Sequence, residues 1–205
     1  ALESREMVTD AMLMAGEAVA IYCQANGIAI PYAVQAPPDE AREPHTLSEM
    51  YAYRRFFKPT QSSASPGLHA SLGLNQYARA TSPLRRYQDL LVHQQLRAHL
   101  LGNECLPENE VAVRASQADE GSAARRRTER FSNQHWKLVW LKQHPDWQGQ
   151  AVVVEVGERK ITLMIPELAM ETKLRVKDKL ELDGEVTLKL REVDLPDQTA
   201  YFRLA

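Results

Sequence analysis

A chain of 205 residues has room for one large domain or two small ones, and 44% hydrophobic with 25% charged residues is the ordinary balance of a globular protein in water. A formal net charge of −2 gives no global pull on nucleic acid, so any such binding must come from local clusters. No apolar run reaches the length of a membrane span, and the start ALESREMVTD lacks the basic and apolar blocks of a signal peptide. It also lacks an initiator Met, which fits a processed piece or a fragment. Cys23 and Cys105 are far apart and belong to no metal-type spacing, so a reducing, cytoplasmic setting is expected.

Residues 4–25 read as an amphipathic helix with Val8, Met12, Ala15, Val19 and Tyr22 on one apolar face. Asn26-Gly27 supplies a C-cap and Pro31 follows. Asp10 lies near that stripe and reads, on the helix alone, as a solvated carboxylate. Residues 28–36 are short, apolar and partly alternating, an extended segment ended by Pro37-Pro38. Residues 46–57 predict a short helix with Leu47, Met50, Tyr51, Arg54 and Phe57 near one face. Residues 58–76, rich in Ser, Pro and Gly, predict an ordered loop anchored by Leu68, Leu72 and Leu74. His69 and His93 have no partner at ligand spacing and read as packed or surface histidines.

The stretch from Tyr77 to Leu96 carries the strongest local signal. Ser82 is a good N-cap and Pro83 suits the first helical position, so a helix is expected from Ser82 to about Leu100, stopping near Gly102. Leu84, Tyr87, Leu90, Leu91 and Val92 give it a broad apolar side, which predicts burial. Arg85 and Arg86 then fall in the first turn, where the helix already carries about half a positive charge. Two guanidinium groups there make sense if an anion sits in front of them, and phosphate matches both the free N–H groups and the arginine forks.

Pro107 opens a further helical stretch, and Ser116 with Asp119 resembles a capping box for a longer helix over 116–142. Arg125, Arg126, Arg127 and Arg130 crowd together there around Glu129, and such a run is usually a solvated face. Trp136 and Trp140 share a face, most simply as core or domain-interface packing. The helix breaks at His144-Pro145-Asp146, which divides the chain into domains 1–145 and 146–205. Beyond it, residues 149–156, 160–166, 171–176, 184–192 and 199–204 alternate with period two between turn signals. Five such strands predict a small closed barrel of the OB type. Its aromatic supply is thin: Tyr201 and Phe202, with Trp147 just before it. A packing role therefore stands beside single-strand nucleic-acid binding for the barrel.

The central stretch resembles the ribonuclease II family of processive 3′→5′ exoribonucleases. The matching residues are Gly67-Leu68-His69, Leu72-Gly73-Leu74, Tyr77, and TSPLRRYQDLLVH from Thr81 to His93. SREMVTDAMLMAGEAVA is similar to the family's preceding helix, followed by a Pro-Pro-Asp turn at Pro37-Pro38-Asp39. Thr128-Glu129-Arg130 resembles its Ala-Glu-Arg before a terminal OB barrel. The resemblance implies an α+β chain: the mainly helical C-terminal half of the catalytic domain, then a five-stranded RNA-binding barrel. It implies that Arg85 contacts and polarises the phosphate next to the scissile bond. Arg86 would hold the adjoining backbone, with Ser82, Tyr77, Glu129 and Asp10 as further substrate contacts. Asp10 stands where the family has Glu, and Gly16 where it has Asn, which departs from the pattern. Magnesium is implied as cofactor, held by an aspartate cluster in an earlier half that has no counterpart in this chain. The implied partners are single-stranded RNA and the N-terminal half of the same enzyme, with no membrane and no DNA. Two other classes remain open: a non-catalytic RNA-binding or regulatory module, and a helical domain with barrel that binds a protein.

Overall fold

The computed structural model describes residues 2–175 and 180–205, so Val176, the end of the expected third strand, lies outside the described residues. In chain order the elements are α1 (Glu3–Ala25), β1 (Tyr32–Val34), α2 (Leu47–Tyr53), β2 (Gln61–Ser63), α3 (Tyr87–Leu100), α4 (Glu108–Gln143), β3 (Gln148–Val156), β4 (Ile161–Ile165), β5 (Met170–Leu174), β6 (Glu185–Asp194) and β7 (Thr199–Leu204). The chain forms two compact units. One comprises Ala1–Asp39 with Phe57–Ala124, the other Glu40–Phe56 with Arg125–Ala205.

In the first unit, α1 ends as its sequence predicts, at Asn26 and a left-handed Gly27. Its inward face differs from the expected stripe. Gly16, Ala20 and Cys23 are buried, whereas Val8, Met12 and Tyr22 are exposed. Small residues face inward because the neighbouring chain comes close. A Cβ on Gly16 would stand 2.2 Å from Tyr77 Cε2 and 2.7 Å from the Ala78 carbonyl oxygen. Ala20, Cys23, Ile28, Ile30, Tyr32, Ala78, Ala80 and Val92 then close one apolar core. Burial, with Cys105 nearby, pushes the Cys23 thiol up to about 11, so it stays protonated at neutral pH.

Buried glutamines hold the unit's loops. Gln95 Nε2 donates to the carbonyls of Ala29 (2.8 Å) and Leu106 (3.0 Å), while its Oε1 accepts from Leu106 N (2.9 Å). Gln35 does the same between Lys58 O (2.7 Å) and Ser71 N (3.0 Å). These bonds order the 58–76 loop, in which Leu68 is largely exposed and not an anchor. The expected second helix beginning at Ser116 does not exist as a separate element. α4 runs unbroken from Glu108, with Pro107 O accepting from Glu110 N and Val111 N at 3.1 Å. Asp119 instead accepts from Gln88 Nε2 at 2.9 Å.

In the second unit, β3 to β7 form one antiparallel sheet in the order β5-β4-β3-β6-β7. β5 and β7 approach one another, and the sheet curls nearly shut. Alternation sets the core: Ala151, Val153, Ile161, Leu163, Ile165, Leu188 and Phe202 point inward, joined by Leu138 and Leu141 of α4. Trp147 and Phe202 meet edge to face at 5.5 Å and are core residues, while Tyr201 is 47% exposed.

Residues 46–56 pack on the outside of this barrel. Thr46 and Glu49 form a capping box that starts α2. Ser48 then donates from its N–H (2.8 Å) and Oγ (2.5 Å) to the Asp183 carboxylate. Tyr51 Oη donates to Glu171 at 3.0 Å, Arg54 to Glu171 at 2.7 Å, and Arg55 to Glu155 at 2.5 Å. The inward residues of this helix are thus Ser48, Tyr51 and Tyr53, whereas Leu47 and Met50 of the expected face are exposed.

Two outcomes are expected from this packing. Gly16→Ala must displace the Tyr77 ring or the Ala78 backbone, and should cost at least about 1–3 kcal/mol in urea unfolding; an unchanged midpoint would contradict the close approach. Hydrogen bonds and charge pairing with Arg55, Arg54 and Ser48 lower the carboxyl pKa values of Glu155, Glu171 and Asp183, respectively, below the ordinary range. Groups with depressed folded pKa values stabilise the fold above their unfolded values of about 4, and that contribution is lost as pH falls through the folded ones. The fall in melting temperature below about pH 4 should therefore be smaller in a Glu155→Gln/Glu171→Gln double variant than in the parent. Superimposable pH profiles would show that these pairs contribute nothing.

Candidate functional site

The first unit builds its site around the start of α3, which is not where the sequence puts it. Ser82 to Arg85 form a separate turn. Ser82 O accepts from Arg85 N at 3.2 Å and Arg86 N at 3.0 Å, and the helix proper begins at Tyr87 with an extended Arg86 as N-cap. The Ser-Pro pair satisfies turn chemistry as well as helix-start chemistry, because proline presets the backbone for either. Burial along the helix is also narrower than expected. Leu91 and Val92 are buried, but Leu84 is fully exposed, with Tyr87 at 43% and Leu90 at 38%.

Arg86 already has a carboxylate partner within the chain. Asp89, in the first turn of α3 and completely buried, accepts from Ser82 N at 2.8 Å and from Arg86 Nη2 at 2.7 Å. A carboxylate there is favoured by the helix dipole, and it neutralises the adjacent guanidinium. Truncating one member of a buried pair of this sort costs about 3–5 kcal/mol, because the other is left uncompensated. Arg86 Nε and Asp89 Oδ1 are buried with no hydrogen-bond partner among the described residues.

The two arginines therefore have different standing. Arg86 is an internal strut, whereas Arg85 is exposed and no ion pair joins it to a described residue. Gln88 pins the same turn of helix, donating to Ser62 Oγ (2.7 Å) and Asp119 Oδ1 (2.9 Å). Tyr77 lies over Gly16 and meets His69 edge to face at 5.8 Å. His69 is buried beside Thr60, with Nε2 to Oγ1 at 3.3 Å, and burial lowers its pKa. His93 Nε2 lies 2.7 Å from Ala80 O on an exposed position, so His69 is a packed histidine and His93 a surface one.

Ser82, Arg85 and Arg86 thus share one turn in the first unit, which also holds Tyr77 beside Gly16 and His69, and Asp10 exposed on α1 before Gly16. Glu129 belongs to the second unit, exposed on α4 with Arg125 at 3.9 Å. Asp89 and Gln88 carry no signal as long as the helix is taken to start at Ser82. A start at Tyr87 makes Asp89 an acid in the first turn, three residues after Arg86. Among the described residues no three His, Cys, Asp or Glu side chains gather closely enough to hold a metal ion, so these residues do not by themselves form a magnesium site.

Comparison with known proteins gives this arrangement its relatives. An RNB domain model matches residues 1–102, and a model of the RNase II-type exonuclease C-terminal S1 domain matches residues 147–205. An uncharacterized ribonuclease of Synechocystis sp. is 31% identical over 202 residues, covering 93% of this chain and 30% of its own length. The chloroplastic/mitochondrial ribonuclease II of Arabidopsis thaliana is 24% identical over 213 residues, covering 96% of this chain and 26% of its own length. The chain thus spans less than a third of these relatives. The fold matches Mycoplasma genitalium RNase R, solved with ribose-methylated single-stranded RNA, at a TM-score of 0.75 and 19% identity over 97% of this chain and 41% of that one. With the RNB match leading and the C-terminal S1 match completing the fold, the chain belongs to the ribonuclease II family.

Proposed function

We propose that the chain is part of a 3′→5′ exoribonuclease that degrades single-stranded RNA processively to nucleoside monophosphates. Residues 1–145 would supply the C-terminal half of the catalytic domain, and 146–205 the terminal RNA-binding barrel. The observation that carries this reading is the exposed Arg85 guanidinium, free of any ion pair to a described residue and set on a turn that Asp89 locks from below. Such a cation needs no internal rearrangement to meet a phosphate, and preorganised charge is what stabilises developing negative charge on phosphoryl oxygens.

Arg86 supports the same turn through its pair with Asp89 and so holds the adjoining RNA backbone only indirectly, by fixing where Arg85 stands. Ser82 shapes the turn through its carbonyl and N–H, and Tyr77 serves as a further substrate contact. Asp10 and Glu129 act as further contacts to the terminal nucleotides. Magnesium enters this proposal as the cofactor of the upstream half of the catalytic domain, with its ligands outside this chain. The RNA complexes of Mycoplasma genitalium RNase R support RNA as the class of substrate.

The test joins the chain to that upstream half, in cis or as a separate polypeptide, with magnesium and an unstructured RNA. Release of nucleoside monophosphates is expected, and Arg85→Ala should lower the rate by about 10²–10³-fold. A wild-type rate in Arg85→Ala would remove the phosphate contact. Failure of the joined protein to release monophosphates would leave the RNA-binding module without chemistry as the better account.

A further inference from the structure

The second half of α4 carries a surface that the barrel does not use. Trp136 and Trp140, one turn apart, are 64% and 39% exposed, so neither is the core or interface residue their spacing suggested. With Asn133 and Lys137 they face Glu167, Leu168 and Ala169 at the β4–β5 turn across a groove of ≈ 620 Å³. The groove is held in shape. Lys137 Nζ donates to Ala169 O at 2.7 Å, and the Trp140 ring stacks on His144 at 4.1 Å with 21° between planes. His144 Nδ1 lies 2.7 Å from Trp140 O, which fixes that stack.

Cations continue the groove along the helix. Residues 126, 130, 133 and 137 step by four, three and four, which puts Arg126 and Arg130 on the side of Asn133 and Lys137. Both arginines are exposed; the neighbouring pair, Arg125 with Glu129, is a loose 3.9 Å contact between other residues. Glu167 is a carboxylate that lines the groove and works against an anion there. Rings at one end and a row of cations along the other are the make-up of a single-strand nucleic-acid surface.

The alternative face is unsuited to RNA. OB barrels commonly take oligonucleotides on their second and third strands, here β4 and β5. Residues 46–56, whose helix α2 packs on β3, border that side and are anchored by Glu155 on β3, Glu171 on β5 and Asp183. Three carboxylates would repel phosphate even if α2 lifted.

We propose that single-stranded RNA binds along this groove, with bases stacked on Trp136 and Trp140 and phosphates held by Arg126, Arg130 and Lys137. The inference rests on the reading of the chain as part of an RNA-degrading enzyme and names where the second unit holds the strand. Stacking accepts every base, so the site is tolerant of sequence.

The test is fluorescence anisotropy of end-labelled oligo(U) and oligo(A) of about 12 nucleotides with the 205-residue chain, a length near the upper end of single OB-fold sites. Trp136→Ala/Trp140→Ala is expected to weaken both oligonucleotides by about 10- to 100-fold, and Trp136→Phe to retain most of the affinity. Arg126→Glu/Arg130→Glu should reduce the slope of log affinity against log salt by about 1.4, some 0.7 for each phosphate no longer neutralised. Wild-type affinity in the tryptophan double variant would overturn the groove while leaving the exoribonuclease reading intact. Failure of the parent chain to bind either oligonucleotide at low salt would overturn the groove, while the exoribonuclease reading stands or falls on monophosphate release by the joined protein. Sedimentation showing a dimer that the tryptophan variant alone abolishes, with RNA affinity unchanged, would assign the groove to protein and overturn the proposal.

Discussion

The buried carboxylate of Asp89 is the constraint on which the site depends. An ionised acid removed from water must be compensated locally, and its partners here are the Ser82 N–H and the Arg86 guanidinium. Both belong to the turn that precedes α3, so compensating the acid fixes the turn. Fixing the turn consumes Arg86 and presents Arg85. Two adjacent arginines that look equivalent in the sequence are separated into a strut and a free cation by one side chain three residues further on.

The second unit solves a comparable problem on a surface. The outer side of β3 to β5 carries Glu155 and Glu171, and the neighbouring loop carries Asp183; residues 46–56 bring hydroxyls, an N–H and two guanidinium groups to meet them. These pairs are partly exposed, so each is screened and individually weak. Together they hold residues 46–56 against β3 and the Glu171 end of β5, and they leave Trp136 and Trp140 open on α4. The distribution of charge, more than the type of barrel, decides which side can meet a phosphate chain.

Much of this architecture is legible in the residues. All five barrel strands fall within a few residues of their expected positions, because period-two alternation and turn residues both act locally. The motif from Thr81 to His93 points to the right family because it is long and chemically unusual. The departures share a physical cause. Ser82-Pro83 encodes a turn as well as a helix start, and the choice is made by Asp89 through a tertiary hydrogen bond. Ser116 looks like a cap, yet α4 continues through it. The inward stripe of α1 differs because close packing of Tyr77 selects Gly16 and Ala20, where hydrophobicity alone selects Val8 and Met12. A side chain at position 16 would fit only if the Tyr77 ring or the Ala78 backbone moved.

The central claim is the division of labour between Arg85 and Arg86. Side-chain NMR of the arginine Nε–Hε groups, followed while the 205-residue chain is titrated with short unstructured RNA in the absence of divalent metal, reads it residue by residue. The Arg85 resonance is expected to shift with the RNA while Arg86 stays protected and unmoved until Asp89 is replaced by Asn. An Arg85 signal that ignores RNA, or an Arg86 signal that exchanges freely in the parent chain, would contradict it.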